Sequence, residues 1–452
     1  MDAAMAVFAR LGTPARTAGA VLALWVGSWS MYYVAQESFR CLELRRRAAR
    51  HRLRLRRESP DAWHGNARGK ERVDIVARFR SLRFCGRYLN VAPEWREQGA
   101  WEWMWWKLVH SALWHGRLGW DGGVATDQQT AAGRAHIEQL LPVHALDTAQ
   151  LWGAVPGAPR APRRGLSHTW IGQSTCLVQL HGVNVLTDPV FGEQPIASVV
   201  SPWRIRPMPC TLQELLAHGR VDVILVSHNH FDHLDVAIIP HIPRGTRWVV
   251  PRGVGALLAR HGVACAQVTE LDWWDEASLQ LHVPVRDGST GATAARTLDI
   301  AAVPASHWSA RNLLDTNLSL WNSYALRCAA DDGAAPAKFF FCGDSGYSPL
   351  LFSSIGRMYG PFHLATIPIG SYEPRWHLSL QHMDPLGAVR VALDVGAKQA
   401  FAMHWGTWCM SDERWDDAPR DLEDARKREC VPPAQLCTVP FGTTQIVAGE
   451  GW

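Results

Sequence analysis

Residues 221–233 read VDVILVSHNHFDH. The first six form a continuous apolar run of strand length, the pattern of a strand buried on both faces. The run passes through Ser227 straight into His228, His230, Asp232 and His233. Three imidazoles and one carboxylate within six residues have little structural purpose at the end of a buried strand. They are the nitrogen and oxygen donors that zinc takes. In an extended stretch His228 and His230 point the same way and can share one ion. Asp232 and His233, after the chain turns, can face a second ion beside it.

Outward from this run the pattern repeats. Short apolar strands are expected at Cys176–Leu180, Val183–Leu186, Arg247–Val250, Leu298–Val303, Ser323–Leu326, Lys338–Phe341, Leu364–Ile367 and Gln399–Met403. Helical stretches are expected at Leu212–His218, Val254–His261, Pro385–Val395 and Leu422–Arg428. Strands and helices interleaved in this way suggest stacked sheets flanked by helices, with the chemistry on loops at strand ends. Three of these strands lead to His307, Asp344 and His404. Taken singly, such a histidine is as often a core or surface residue as a ligand. Together with the first run they complete a donor set for two ions, with Asp344 the anion placed to bridge them.

The motifs then narrow the comparison. His-x-His-x-Asp-His, followed by a later His, Asp and His, resembles the metallo-β-lactamase superfamily, whose fold is an αββα sandwich. Thr169-Trp-Ile-Gly172, Leu186-Thr-Asp-Pro189, Pro304-Ala-Ser-His-Trp308, Gly343-Asp-Ser-Gly-Tyr347, Tyr372-Glu-Pro-Arg-Trp376, Gln381-His-Met-Asp-Pro385 and His404-Trp-Gly-Thr407 resemble the N-acylphosphatidylethanolamine-hydrolysing phospholipase D family. So do Gly86-Arg-Tyr-Leu-Asn90 and Leu140-Leu-Pro-Val143. The likeness runs from residue 84 to 448, and the Tyr-Glu-Pro-Arg-Trp and Gln-His segments are not general to the superfamily.

The resemblance implies two Zn2+ ions, one at His228, His230 and His307 and one at Asp232, His233 and His404, with Asp344 between them. It implies an orienting role for Asp188, a place at the substrate phosphate for His382, and substrate contacts at Phe231, Gln381 and Trp376. Catalysis would fall to a hydroxide bridging the metals, oriented by Asp232, with His382 steadying phosphate or leaving group. The activity implied is hydrolysis of N-acylphosphatidylethanolamine-like phospholipids to phosphatidate and an N-acylethanolamine. Gln173 stands where the family often has His, Phe231 where Tyr is common, and Leu320-Trp-Asn-Ser-Tyr324 replaces Leu-Trp-Gly-Ser-Trp. None of these removes a ligand. Two alternatives stay open: another superfamily hydrolase acting on a small ester, lactone or phosphodiester, and a membrane-tethered lipid-binding protein without catalysis.

The 452 residues divide into a leader at 1–60, a Trp-rich extension at 61–165 expected to pack on the catalytic domain, and a catalytic domain at 166–452. The net charge of +4 splits into +7 for the leader and −3 for the rest. A near-neutral body lacks the basic face that gripping nucleic acid requires. Ala18–Ala35 is uncharged, mostly apolar, and about long enough for a membrane-spanning helix, which takes about 17–25 residues. Nine Arg follow between Arg40 and Arg57, so a single-pass anchor would keep the catalytic domain on the cytoplasmic-equivalent side. Arg10 and Arg16 amid Ala also suit a mitochondrial transit peptide, with the inner membrane as destination.

The chain holds 23 Trp, five of them at 101, 103, 105, 106 and 114 within the segment Trp95–Trp120. Core packing is the first expectation for that segment and membrane contact the second. Ten Cys without a Cys-x-x-Cys pair read as free thiols. The expected partners are membrane phospholipid, the membrane itself and a second copy of the chain.

Overall fold

The apolar run at 221–226 owes its burial to two different neighbours. Val223 and Leu225 join the large cluster between two sheets, while Ile224 and Val226 join a second cluster beneath outer helices. The computed structural model describes residues 13–50, 69–115, 121–152, 165–196, 201–284, 293–312, 314–330 and 335–447. Residues 1–12 with Arg10, the Arg positions between 52 and 57, and Trp120 lie outside them.

The strands, in chain order, begin with β1 Leu82–Phe84 and β2 Arg87–Leu89, a separate two-stranded hairpin. Then come β3 Leu166–Gly172, β4 Thr175–Leu180, β5 Val183–Thr187, β6 Val223–Leu225, β7 Arg247–Pro251 and β8 Val268–Leu271. The rest are β9 Glu276–Pro284, β10 Thr293–Pro304, β11 Asn322–Ala330, β12 Ala337–Phe341, β13 Phe362–Pro368, β14 Ala397–Met403, β15 Leu436–Cys437 and β16 Thr444–Val447. They form two seven-stranded sheets, ordered β16-β3-β4-β5-β6-β7-β8 and β15-β14-β13-β12-β11-β10-β9. In each sheet antiparallel hairpins give way to parallel strands, at β5–β6 in the first and β12–β13 in the second.

Helices cover the outer faces. Leu215 and Leu258, from helices Leu212–His218 and Gly255–Arg260, pack on Ile224, Trp248 and Val250. Helices Pro349–Tyr359, Pro385–Asp394 and Asp417–Glu429 join the large cluster beside the second sheet. The result is the αββα sandwich of the metallo-β-lactamase fold. Parallel strands leave their C-terminal ends on one edge, and β6, β12 and β14 all release their loops there.

The extension is not a separate body. Ile75, Phe79, Tyr88 and Leu89 belong to the same core cluster as the sheets. Helix Thr13–Arg50 runs on past its apolar part and docks through two buried arginines. Arg47 donates to the carbonyls of Arg80 (2.6 Å), Arg78 and Ser81, and Arg40 to those of Ala92 and Trp95. Part of the basic run therefore fastens the helix to the body. All ten cysteines are free thiols.

The Trp-rich segment departs from the core-packing expectation. It is one helical rod, Ala100–Trp105, a π turn Trp106–His110, and Ser111–His115. Of its tryptophans Trp106 alone is buried, against His377, whereas Trp101, Trp103, Trp105 and Trp114 are exposed. The rod meets the body where Lys107 reaches the Met410 carbonyl and Ser111 reaches Asp412.

Candidate metal centre

The site begins where β6 ends. Asp188, at the end of β5, accepts hydrogen bonds from the Ser227 amide (2.6 Å), the Ser227 hydroxyl (2.5 Å) and His233 Nδ1 (2.6 Å). The bond to Nδ1 fixes the imidazole so that Nε2 faces inward. His228 Nδ1 sits 2.9 Å from Ser227 Oγ, which turns its Nε2 inward, 2.8 Å from His230 Nδ1. His307, after β10, has Nδ1 2.9 Å from the Gln381 carbonyl, again turning Nε2 inward.

The donors gather in two groups. The ligand atoms of His228, His230 and His307 lie within 4.8 Å of one another, and so do those of Asp232, His233, Asp344 and His404. Asp344 Oδ2 is 3.0 Å from His233 Nε2, 3.1 Å from His404 Nε2 and 3.8 Å from His307 Nε2, so one oxygen reaches both groups. Gly343 makes this possible: it has φ 59°, and a Cβ there would stand 2.7 Å from Ser227 Cβ. Only glycine lets β12 end against Ser227 and turn Asp344 inward. Asp188, Gln173 and His404 hold positive φ (35°, 50° and 60°), a conformation that packing must enforce on residues with a side chain.

Electrostatics divides the two groups. In the first, burial pushes His228 well below the ordinary imidazole range, His230 down to about 3 and His307 down to about 4. These rings are neutral and offer lone pairs. In the second, burial works against charge, but Asp344 and Asp232 outweigh it and hold His233 well above its usual value and His404 up to about 9. The same pairing overcomes burial at Asp232 and Asp344 and holds both carboxyls well below theirs.

Asp344 Oδ1 is buried with no hydrogen-bond partner, and His233 Nε2 and His404 Nε2 are buried facing carboxylate oxygens at 3.0–3.3 Å without a well-directed hydrogen bond. Such atoms cost about 1–3 kcal/mol each unless something satisfies them. Neutral imidazoles converging on one point, beside carboxylates sharing another, are the environment a pair of divalent cations completes. The residues fit the group.

The remaining expected residues fall around this centre. His382 is half-buried, with its Nδ1 buried, unpartnered and 3.9 Å from Asp344 Oδ2. Phe231 lies beneath the Arg311 guanidinium, 4.2 Å from it. The Gln381 side chain turns to Gln98 (3.3 Å), and Trp376 packs by His110 and His377, apart from the two donor groups. Two further residues complete the frame. Gln173 donates to Asp232 Oδ2 at 2.9 Å, so the departure noted in the sequence sits on a proposed ligand. Arg311 donates to the carbonyls of Asn229, His230 and Leu234 and holds the histidine loop in its turn. An arginine acting on backbone carbonyls leaves no motif, so only the fold reveals it.

Comparison with known proteins agrees with this geometry. The family described as beta-lactamase superfamily domain matches residues 183–405. A Caenorhabditis elegans protein named N-acyl-phosphatidylethanolamine-hydrolyzing phospholipase D 1 is 36% identical over 289 residues, 62% of this chain and 75% of that protein. The mitochondrial protein of the same activity name from Saccharomyces cerevisiae is 34% identical over 259 residues, 57% of this chain and 51% of that one. An uncharacterized Mycobacterium tuberculosis protein is 35% identical over 288 residues, 62% of this chain and 69% of that one. The chain belongs to the N-acylphosphatidylethanolamine-hydrolysing phospholipase D family of the metallo-β-lactamase superfamily, and is a metal-dependent hydrolase.

Proposed function

We propose that this chain is a two-zinc phosphodiesterase of the phospholipase D type, cleaving N-acylphosphatidylethanolamine-like phospholipids to phosphatidate and an N-acylethanolamine. The observation that carries the reading is the pair of donor groups sharing Asp344 Oδ2, with half-buried His382 beside them. His228, His230 and His307 would hold one ion, Asp232, His233 and His404 the other, and Asp344 both. Bound metal supplies a Lewis acid for phosphate oxygens and water acidic enough to deprotonate near neutral pH. The relatives named for this activity support the choice of substrate.

The protein's own groups do the positioning. Asp188 and Ser227 set the rings of His233 and His228, and the Gln381 carbonyl sets that of His307. Asp232, fixed by Gln173, orients the attacking water for in-line approach to phosphorus. The bond broken is the phosphorus–oxygen bond to the ethanolamine, whose oxygen takes up a proton as it leaves. His382 is pushed well below the imidazole range by burial, so it is neutral and can hydrogen-bond a phosphate oxygen. Its backbone is fixed by Arg375, which donates to the His382 and Tyr372 carbonyls. Helix Thr13–Arg50 contains an apolar window long enough to cross a membrane and 0% buried, which supports a membrane anchor. The mitochondrial yeast relative supports a mitochondrial place for it.

The test is an assay of the purified full chain on N-acylphosphatidylethanolamine and phosphatidylcholine, with zinc content measured and chelator added. Zinc-dependent release of N-acylethanolamine is the expected result. Cleavage that ignores chelation overturns the mechanism, and intact metal with hydrolysis only of small esters or lactones overturns the substrate.

A further inference from the structure

We propose that helix Thr13–Arg50 and the Trp-rich rod 100–115 enter the same leaflet of a bilayer side by side, forming a two-helix apolar wedge beside the mouth of the site. The proposal rests on the phospholipid reading above and specifies how the enzyme meets its substrate.

The rod exposes rings on more than one side: Trp114 (77% exposed) follows the π turn, Trp103 (51%) lies on one side, and Trp101 (50%) with Trp105 (55%) forms the face toward helix Thr13–Arg50. Its polar groups are already engaged by the body, Glu102 by Arg96, Lys107 by the Met410 carbonyl and Ser111 by Asp412. Rings exposed together while the polar side chains turn inward is the arrangement of a helix lying in a membrane interface.

The first helix says what covers that face. Its apolar window is unburied, and Trp25 within it meets Trp101 edge to face, ring centres 6.4 Å apart. Lower on the same helix, Tyr32 packs on Phe84 of the β1–β2 hairpin, where Glu97 and Arg87 lie near the tyrosines. Tyr32 and Tyr33 therefore mark a polar boundary, the level such rings take at a membrane surface. From Tyr33 to Trp25 is eight residues, about 12 Å along a helix axis, within the roughly 15 Å of one hydrocarbon leaflet. Any bilayer that admits Trp25 must admit Trp101 at the same depth. Arg40 and Arg47 lock the helix to the body, so the two cannot move apart as independent tethers.

The wedge adjoins the chemistry. Gln98, just before the rod, pairs with Gln381, whose carbonyl holds His307. This link puts the membrane-entering rod one residue contact from a proposed metal ligand.

The test uses the full chain in lipid nanodiscs with p-benzoylphenylalanine placed by Trp103→p-benzoylphenylalanine or Trp114→p-benzoylphenylalanine. Photolysis is expected to attach phospholipid acyl chains at both positions. Adducts only to a second copy of the chain would assign the face to a dimer and overturn the wedge, and so would the absence of any lipid adduct. In parallel, Trp101→Ser with Trp105→Ser should raise the apparent KM for bilayer N-acylphosphatidylethanolamine about tenfold. Turnover of water-soluble bis-p-nitrophenyl phosphate should stay within about twofold, since uniform binding and chemistry separate in this way. An unchanged KM on bilayers overturns the proposal. If the unaltered chain cleaves no phosphodiester, the activity reading falls while the adducts still decide the wedge.

Discussion

Asp188 serves the site without pointing at it. Its two oxygens are shared among the Ser227 amide, the Ser227 hydroxyl and His233 Nδ1, and it is fully buried at φ 35°. Asp188→Asn keeps the shape but replaces one acceptor with a donor facing His233 Nδ1. Groups that orient ligands in this way are worth about 10–100-fold in metal affinity. The variant is expected to lose the second zinc by that factor and keep the first, as competition with a graded chelator would measure. An unchanged affinity for both would show that Asp188 only supports the turn. At this scale the sequence was legible where a residue type announces itself, as in His228-x-His230-x-Asp232-His233. Gln173 and Arg311 were not, because one depends on a left-handed turn and the other on carbonyls of a loop distant in sequence.

Among elements, β3 hides an energetic cost. His168 is buried with both ring nitrogens unpartnered, stacks on Phe401 at 4.8 Å, and is pushed down to about 3 by burial. The unfolded chain takes up a proton below about pH 6.5, whereas the native ring stays neutral until about 3. Its share of stability is therefore complete above pH 6.5 and drains away as pH falls, by about 2 kcal/mol at pH 5. His168→Phe is expected to flatten that slope, matching the parent more closely at pH 8 and exceeding it at pH 5 in denaturant midpoints. Equal slopes in both proteins would place the acid sensitivity elsewhere.

Helix Thr13–Arg50 offers a second test at this scale. Arg47→Met keeps the stem's packing but strands the carbonyls of Arg78, Arg80 and Ser81, at a cost of about 1–3 kcal/mol. Hydrogen exchange should rise along residues 13–50 and stay unchanged at 221–233; equal protection in both proteins would deny the arginine its fastening role. The strands about the metal edge were readable from apolar runs such as Lys338–Phe341, now β12. Others were not. β9 alternates with its polar side wet, and helix Pro349–Tyr359 is apolar enough to pass for a strand run until its neighbours are known. The Trp rod misled for a physical reason: composition reports that a helix is apolar, not whether protein or lipid covers it.

For the molecule as a whole, a metal at the proposed site would satisfy buried atoms of His233, His404 and Asp344, so stability is expected to depend on it. A ligand at 1,000 times its Kd stabilises by about 4 kcal/mol, which in a large domain corresponds to a Tm shift of about 10 °C. Stripping zinc with a chelator is expected to lower Tm by at least that amount and abolish hydrolysis, with both restored by added zinc. Loss of activity without a change in Tm would mean that the centre is not part of what holds the fold. The sandwich itself was legible from alternating strands and helices. The merging of the extension into the same core was not, because Ile75, Phe79 and Tyr88 reveal their partners only in three dimensions.

The loops that carry the proposed ligands come from opposite sheets: His228 to His233 follow β6 in one, while His307, Asp344 and His404 follow β10, β12 and β14 in the other. The proposed metal pair would thus be a rivet through two plates, and neither plate alone has the holes for it. During synthesis the histidine run emerges first and waits for the second plate, whose last contribution, His404, is made near the end of the chain. A fragment that stops short of β14 could collect a metal ion but could not be closed by it, so a complete rivet would certify that both plates have met.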